Sequence, residues 1–296
     1  MMGRLLLVDG HGYAYRSFYA IRSMRSPSGQ PTNAIFGFVK TLARLRAMLN
    51  PSHLLVVWDG GLDDVRLQVL PEYKAQRPEM PGDLAEQIAA VQQWLPVAGV
   101  ASFCQDGIEA DDVIGCLAVR GAGVGLEVVV ASSDKDFMQL VRPGVTLVNP
   151  NDKLERLWGD AEVVAKLGVR PEQVVDYLAL IGDAVDNIPG VPGVGPKTAV
   201  GLLVRFGSVD QLYARLTEVE SLRVRSALAA AEGTVRRNLG LVRLRFDLPQ
   251  TPELEGLAVR EPDWPGLRPL YANWGFRGLL AEADGKISGG SQGALL

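Results

Sequence analysis

Side chains that bind soft metals or cross-link small folds are scarce in this sequence. Only two cysteines and two histidines occur among 296 residues. Two cysteines cannot form a disulfide framework or a zinc cage. The longest apolar runs, such as residues 128–131, have the length of a strand, whereas a membrane-spanning helix needs about 20 apolar residues. We therefore expect neither a disulfide-stapled scaffold nor a membrane protein.

A secretion signal is also missing from the first residues. Met-Met-Gly-Arg leads directly into an apolar strand-like run over 5–8, with no small-residue cleavage pattern. We therefore expect a cytoplasmic protein. The composition, 47% hydrophobic and 22% charged, is typical of a soluble globular protein with one large or two modest domains.

Charge is distributed unevenly although the net charge is only −4. Residues 1–50 carry a net +6 and residues 191–245 a net +5, while residues 51–190 carry 22 acidic and ten basic side chains. This charge distribution suits a protein whose basic segments hold a polyanion at the edges of an acidic site that concentrates metal cations. An acidic solvated surface without a partner is the alternative interpretation of the charge alone.

Hydrophobic periodicity predicts an α/β fold. Short apolar runs that read as strands alternate with helical patterns; the runs are 5–8, 53–58, 101–104, 127–132 and 145–148. This alternation predicts a mostly parallel central sheet with helices on both faces. An N-cap at Asp83 begins one of the predicted helices, which Pro96 ends.

The strand signal fades near residue 171, which suggests two domains. We expect an α/β core over 1–170 that includes an irregular, Pro- and Gly-interrupted segment over 60–82. A helical lobe over 171–285 would follow, with a helix–hairpin–helix over 171–206, and then a flexible tail over 286–296.

Acidic residues stand at the carboxyl ends of four predicted strands. They are Asp9, Asp59, Glu109, Asp111, Asp112, Asp134 and Asp136. The carboxyl ends of parallel strands meet at one edge of a sheet, where ligands bind. Carboxylates about 5 Å apart repel by roughly 3 kcal/mol at an effective dielectric constant of about 20, so such a cluster needs cations. Hard oxygen ligands favour Mg²⁺ or Mn²⁺ over zinc, and two such ions can clamp a phosphodiester for in-line displacement.

A second acidic pair precedes a glycine-rich loop over 188–198. The pair is Asp183 and Asp186, for which ordinary turn aspartates are the competing interpretation. Free N–H groups at the start of the following helix, with a lysine side chain, can hold a phosphate of the DNA backbone. The loop residues that we expect to contact DNA are Gly190, Gly193, Gly195, Lys197 and Thr198. Because Pro196 separates Gly195 from Lys197, the loop is not a Walker A motif.

Five spaced motifs resemble the 5′-nuclease domain of bacterial DNA polymerase I, in the superfamily of flap endonucleases and phage 5′-exonucleases. They are VDGHGYAYR over 8–16, YKAQRP over 73–78, GIEADD over 107–112, DKD over 134–136, and GDAVDNIPG over 182–190 with GVGPKTA over 193–199. The resemblance covers about residues 3–280. It implies a PIN-like core and a helix–three-turn–helix motif in the helical lobe.

The resemblance also implies individual roles. The ligands of a first metal site would be Asp9, Asp59, Glu109, Asp111 and Asp134, and those of a second site Asp136, Asp183 and Asp186. Asp112 would act on the metals from behind the ligands. Lys74 and Arg77 would act on the scissile phosphate, and Arg16 would be a further basic catalytic residue near the active site. Tyr73 would contact DNA, and K⁺ could occupy the glycine-rich turn. If a helical turn forms there, Tyr73 and Arg77 share one face and clasp each other.

The resemblance implies that the segment over 60–82 forms an arch, or gateway, through which a single 5′ strand passes, with Lys74 and Arg77 at its base. Two departures from the family pattern concern this arch and the cleavage rate rather than the metal site. Val185 replaces a small hydroxyl residue, and Val-Arg-Leu-Gln over 65–68 replaces the frequent Phe-Arg-His-Glu. No polymerase sequence follows the motifs, so the resemblance implies either a free-standing homologue or a polymerase's nuclease domain.

The function implied is a metal-dependent, structure-specific 5′–3′ exonuclease and flap endonuclease. Its substrates would be DNA with a 5′ flap, nick, gap or overhang, and RNA primers; we expect a monomer with a DNA polymerase as a possible partner. Three alternatives compete: a DNA-junction binding protein without catalysis, an RNA-cleaving nuclease with a related sheet, and an Asp-x-Asp phosphatase. His11 occupies the second acidic position that the phosphatase would need.

Overall fold

The computed structural model describes residues 3–152 and 156–293, and it is built around a six-stranded sheet in the order β3-β2-β1-β4-β5-β6. The strands are β1 (Arg4–Asp9), β2 (His53–Trp58), β3 (Ala101–Cys104), β4 (Glu127–Ala131), β5 (Val145–Val148) and β6 (Leu157–Trp158). The first five pair in parallel and β6 is antiparallel to β5. The predicted mostly parallel sheet is therefore confirmed.

Helices cover both faces of this sheet. Alternate residues of β1 enter two separate cores: Leu5 and Leu7 pack into one, and Leu6 and Val8 into the other. Burial on both faces explains why the strands are nearly continuous apolar runs. The helices of this half are α1 (Gly10–Ala20), α2 (Asn33–Leu49), α3 (Asp64–Val69), α4 (Gly82–Val97), α5 (Ala110–Gly123) and α6 (Asp160–Leu167).

Several helix boundaries differ from the sequence prediction. Pro81, not Asp83, is the N-cap residue of α4, and Asp83 lies within the first turn, where its charge favours the helix dipole. Pro96 lies inside the last turn of α4 instead of ending it. Within the segment over 60–82, Asp63 caps the short helix α3 by accepting hydrogen bonds from the Val65 and Arg66 N–H groups.

The helical lobe contains α7 (Val174–Ile181), α8 (Pro196–Phe206), α9 (Val209–Ala214) and α10 (Leu222–Val242). Between α7 and α8 the chain forms a small antiparallel pair, β7 (Gly182–Asp183) with β8 (Ile188–Pro189). The Asn238 side chain is fully buried and donates to the carbonyls of Ala179 and Pro189, which fixes α10 against this pair.

The last segment returns to the core, which corrects the predicted extent of the helical lobe, 171–285. Ala258 bridges to His53, and α11 (Trp264–Trp274) and α12 (Arg277–Gly293) cover the second core. The physical reason is the burial of apolar side chains, since Leu267 and Ala283 are buried there. A hydrogen bond from the Trp94 indole to the Tyr271 hydroxyl adds to this packing.

The flexible tail predicted over 286–296 is wrong for residues 286–293, which continue α12; residues 294–296 lie outside the described residues. Glycines lower helix propensity by about 1 kcal/mol each, which is why the composition suggested a linker. Within the described ranges, no helix is both long and apolar enough to cross a membrane.

Candidate active site

Four carboxylates line one cleft of about 440 Å³ at the carboxyl ends of the parallel strands. Asp9 ends β1, Asp59 follows β2, Asp111 lies in the first turn of α5, and Asp134 follows β4. Each is delivered by a different strand end because the strands are parallel and in register. The structure thus brings together four of the residues predicted for the first metal site.

Hydrogen bonds connect and orient these carboxylates. Asp9 Oδ1 accepts from the Gly12 N–H at 2.8 Å, and its Oδ2 accepts from the Ser132 hydroxyl at 2.9 Å. The same hydroxyl accepts from the Asp134 N–H at 3.1 Å. Asp59 Oδ1 accepts from the Ala110 N–H at 2.9 Å. Both oxygens of Asp9 and one oxygen of Asp59 are thereby held, while both carboxylates line the cleft.

The crowding of acids shifts their protonation. Burial raises the pKa of Asp9 to about 6, against the lowering effect of its hydrogen bonds. Burial also raises the pKa of Asp111 well above its usual range, and the charges of Asp134 and Asp59 raise it further. Raised pKa values of this kind indicate a site that favours bound cations, because a cluster of carboxylates without compensating positive charge retains protons.

A second acidic cluster adjoins the first. Asp136, Asp183 and Asp186 each offer a carboxylate oxygen, and these oxygens lie within 4.8 Å of one another. Lys135 Nζ contacts Asp183 Oδ2 at 2.6 Å, and the Val185 N–H donates to Asp183 Oδ1 at 2.9 Å. The residues predicted for the second site are therefore also neighbours.

The basic segment packs directly against the acids. Lys74 Nζ lies 2.7 Å from Glu109 Oε2, and Arg77 Nη2 lies 2.7 Å from Asp186 Oδ1. Burial lowers the pKa of Lys74, but the carboxylates of Glu109 and Asp186 outweigh it and the net shift is upward. Lys74 is buried, whereas the Arg77 side chain is 42% exposed. Arg77 is therefore the more accessible of the two cations.

Two expectations for this segment are corrected. The chain forms consecutive turns, and Lys74 has a left-handed φ of 56°, so no helical turn brings Tyr73 against Arg77. Tyr73 is 3% exposed, and its hydroxyl donates to Glu109 at 3.2 Å. A buried side chain cannot contact DNA directly, so Tyr73 orders the carboxylates instead.

Asp112 differs from the other acids because it faces away from the cleft. It is fully buried, and both of its oxygens accept from the Arg66 guanidinium, at 2.7 and 2.9 Å. The Arg245 N–H donates to it as well. Arg66 also lies 3.3 Å from Glu109. Asp112 thus lies behind the four carboxylates that line the cleft and not among them.

The carboxylates fit divalent cations in both halves of the site. Among the described residues, Glu109 Oε1 and Asp136 Oδ1 are buried without a hydrogen-bond partner. An unpaired buried carboxylate oxygen is costly unless an ion or water compensates it. Asp136 lies among the carboxylate oxygens of Asp183 and Asp186, hard donors that suit a Mg²⁺-like ion. Glu109, in contrast, is not among the described residues that line the cleft, and its Oε2 contacts Lys74 and Arg66.

The loop residues predicted to contact DNA lie on the accessible surface around the start of α8. Gly193 and Gly195 are exposed, Lys197 is exposed in the first turn of α8, and Thr198 is partly exposed beside it. Gly190 packs against the Ile181 carbonyl, where a Cβ atom would overlap the main chain. Gly190 therefore permits the close approach of two segments, a structural role.

Arg16 is not brought to the acidic clusters. Its Nε donates to Asn151 Oδ1 at 3.1 Å, and it is absent from the described residues that line the cleft. Of the departures from the family pattern, Val185 is 63% exposed in the turn between Asp183 and Asp186. It contributes only its N–H to the acids, so its side chain does not alter their positions.

Three residues of the site were not identified from sequence. Ser132 bridges Asp9 and Asp134, His11 lines the cleft and accepts from the Asp59 N–H, and Lys135 contacts Asp183. His11 and Lys135 lie inside two of the motifs quoted above, and this position could have identified them as site residues. For Ser132, only its position at the end of β4 distinguishes it from other serines.

Comparisons with known proteins identify similar families. A family model described as 5′-3′ exonuclease, N-terminal resolvase-like domain, matches residues 4–168. A second, described as 5′-3′ exonuclease, C-terminal SAM fold, matches residues 169–265. Together they span most of the chain.

Curated relatives agree with these models. A 5′-3′ exonuclease of Aquifex aeolicus is 36% identical over 294 residues, covering 99% of this chain and all of that protein. DNA polymerase I of Pseudomonas aeruginosa is 40% identical over 285 residues, covering 94% of this chain. The chain spans about a third of the length of its polymerase relatives.

Solved structures share the fold. A bacteriophage T5 flap endonuclease, in a complex with DNA and metal ions, has a TM-score of 0.66 and 26% identity; the match covers 81% of this chain and 88% of that one. The catalytic core of Rad2 in complex with DNA substrate has a TM-score of 0.62 over 92% of this chain. At 17% identity, the latter similarity shows the fold alone.

Proposed function

The chain belongs to the 5′-3′ exonuclease family, as its motifs predicted, and we propose that it is a metal-dependent, structure-specific nuclease of DNA 5′ ends and flaps. One observation carries the proposal: two adjoining acidic clusters lie at one sheet edge, and Asp136 of the second cluster has a buried carboxylate oxygen with no hydrogen-bond partner among the described residues. A binding protein without catalysis has no need for such costly acids.

Two cation positions are proposed. Asp9, Asp59, Glu109, Asp111 and Asp134 would hold one Mg²⁺ or Mn²⁺, and Asp136, Asp183 and Asp186 the other. When bound, such ions supply a water nucleophile at neutral pH and offset charge on the attacking and leaving oxygens. Ser132 and Tyr73 keep the carboxylates oriented, because each donates to an oxygen of the cluster.

The chain's own cations act on the phosphate. Arg77 is half exposed at the cleft and can exchange Asp186 for a phosphate oxygen, to which its planar fork is suited. Lys74 lines the same cleft and contributes a fixed positive charge beside Glu109. Both stabilise charge as it builds on the scissile phosphate.

Duplex DNA is proposed to lie against the loop between α7 and α8. The exposed glycines there allow the backbone to approach a phosphate, and Lys197 adds a charge. A K⁺ ion could be held by the same turn. Substrates with a 5′ flap, nick, gap or overhang, and RNA primers, fit a protein that reads backbone and junction shape. The polymerase relatives favour a DNA polymerase as a partner.

Cleavage of a labelled 5′-flap duplex, with Mg²⁺ or Mn²⁺ and with a chelator, tests the function. We expect cation-dependent release of the flap, and a 3′-flap duplex of the same sequence serves as the matched control. Tight junction binding without cleavage in either cation would instead support the catalytically inactive binding protein.

The Arg77→Ala variant should lose about 10²-fold in single-turnover flap cleavage, about 2.7 kcal/mol, with a much smaller change in substrate affinity. The reason is that the guanidinium acts mainly on charge developing in the transition state. Arg77→Lys should restore only part of the rate, because the fork is lost. A variant that cleaves at the parental rate but binds flap DNA weakly would show that Arg77 only anchors the strand.

The Lys197→Ala variant should bind duplex DNA roughly tenfold more weakly, about 1.4 kcal/mol. Losing one phosphate contact should also lower the slope of log affinity against log salt by about 0.9. Lys40→Ala, a change of the same charge at an exposed position of α2, is the control. Unchanged affinity and slope would mean that Lys197 is an ordinary surface charge.

A further inference from the structure

Two functional segments are joined by hydrogen bonds to main-chain carbonyls, and the proposed cleavage mechanism uses neither of these bonds. We call residues 71–77 the basic strap, since it carries Lys74 and Arg77, and residues 183–187 the acid loop. The Lys74 N–H donates to the Asp186 carbonyl at 3.0 Å. The Asn187 side-chain amide donates to the Glu72 carbonyl at 2.8 Å.

Asn187 also connects the acid loop to the helical lobe. It directly precedes β8, which pairs with β7 through Asp183 and Ile188. The carbonyl of Pro189 in β8 accepts from the buried Asn238 of α10 at 2.7 Å. A continuous set of hydrogen bonds therefore runs from the lobe, through β8 and the acid loop, to the basic strap.

The side-chain contacts of the strap cannot serve as a permanent anchor. To contact a phosphate, Arg77 must leave Asp186. Lys74 must likewise interact with the phosphate as well as with Glu109. The Asn187 contact is directed to the main chain at Glu72, so it persists when those side chains move. It is also costly to build, since Asn187 has a left-handed φ of 57°, a conformation that asparagine tolerates better than most residues.

We propose that Asn187 is a positioning residue that holds the basic strap on the acid loop. It thereby couples the binding of duplex DNA by the helical lobe to the placement of Lys74 and Arg77. This inference rests on the proposed nuclease function for its effect on rate. Its effect on the strap itself does not depend on cleavage.

Asn187→Gly removes the amide while keeping a backbone for which a positive φ costs nothing. We expect about tenfold slower single-turnover cleavage of a 5′-flap duplex, the effect of about one hydrogen bond. Duplex affinity should stay at the parental value, and the melting temperature should fall by no more than about 2–4 °C. Asn50→Gly is the matched control, because Asn50 also has a left-handed φ, 43°, at the end of α2. Parental cleavage by Asn187→Gly would overturn the proposal.

A double variant separates positioning from a general structural effect. If Asn187 acts through the strap, adding Asn187→Gly to Arg77→Ala should slow cleavage by only about threefold or less. The full tenfold loss in that background would show that Asn187 acts elsewhere.

Hydrogen exchange of the Lys74 amide tests the tie without any cleavage. That N–H should exchange about tenfold faster in Asn187→Gly than in the parent protein, and at the parental rate in Asn50→Gly. An unchanged exchange rate of the Lys74 amide would mean that Asn187 does not hold the basic strap on the acid loop. If the parent protein cleaves no DNA in Mg²⁺ or Mn²⁺, the proposed function fails, and the exchange result still decides whether Asn187 holds the strap.

Discussion

Replacing Asp134 with alanine should reduce Mg²⁺-dependent cleavage of a 5′-flap duplex by at least about 10³-fold, about 4 kcal/mol. Asp134 faces the cleft with Asp9, Asp59 and Asp111, and a cation held there would contribute several kcal/mol to the transition state. Binding of flap DNA should persist, since the loop before α8 is untouched. Asp111→Ala should behave in the same way.

Asp134 has a second role that the experiment must separate. Its carboxylate accepts from the Asp136 N–H and so caps the short helix over 135–140. Asp263→Ala is a matched control, because Asp263 caps α11 by accepting from the Gly266 N–H and lies outside the cleft lining. Each variant should lose about 1 kcal/mol of capping energy, and only Asp134→Ala should lose cleavage. Near-normal turnover of Asp134→Ala at ordinary Mg²⁺ concentrations would contradict its assignment as a ligand.

Arg66→Met should lower the free energy of unfolding by about 3–5 kcal/mol. The guanidinium is 5% exposed and compensates Asp112 directly, with Asp63 and Glu109 each 3.3 Å away. Removing it leaves the fully buried Asp112 carboxylate with the Arg245 N–H but without the cation that compensates its charge, and a domain has only about 5–15 kcal/mol of stability in all. Urea unfolding at constant m-value measures the loss.

The double variant Arg66→Met with Asp112→Leu should recover part of that stability, because an apolar pair replaces the buried charges without leaving one alone. Arg268→Met is the surface control: Arg268 pairs with Asp284, and both are half exposed, so little change is expected. A loss of similar size in Arg66→Met and Arg268→Met would mean that burial does not determine the effect.

The sheet and its acidic edge were predictable because both depend on local patterns. The strands over 53–58 and 145–148 were predicted with the bounds that the structure shows, since apolar runs buried on both faces leave an unambiguous signal. The edge strand over 101–104 was also predicted with its bounds, although none of its residues is fully buried. Acids placed directly after parallel strands must meet at one edge, so the cleft followed from the topology.

Long-range contacts were not predictable from the chain alone. The left-handed φ of Lys74 has no local cause, since lysine does not favour it, and it depends on contacts with the distant Asp186. The bridge from Ser132 to Asp9 joins two strands that are 123 positions apart in the sequence. The return of α11 and α12 to the core was missed because their apolar residues are equally consistent with packing on the neighbouring lobe.

That return has a consequence for synthesis. Trp94 in α4 and Phe36 in α2 are covered by Tyr271 and Phe276, which the ribosome adds more than a hundred residues after the last parallel strand, β5. The α/β core therefore cannot close until α11 and α12 have been made, although its strands are complete more than a hundred residues earlier. Until then, one face exposes aromatic surface that invites aggregation. A nascent chain halted after α10 should bind chaperones that recognise apolar segments, and should release them once α11 and α12 have left the exit tunnel.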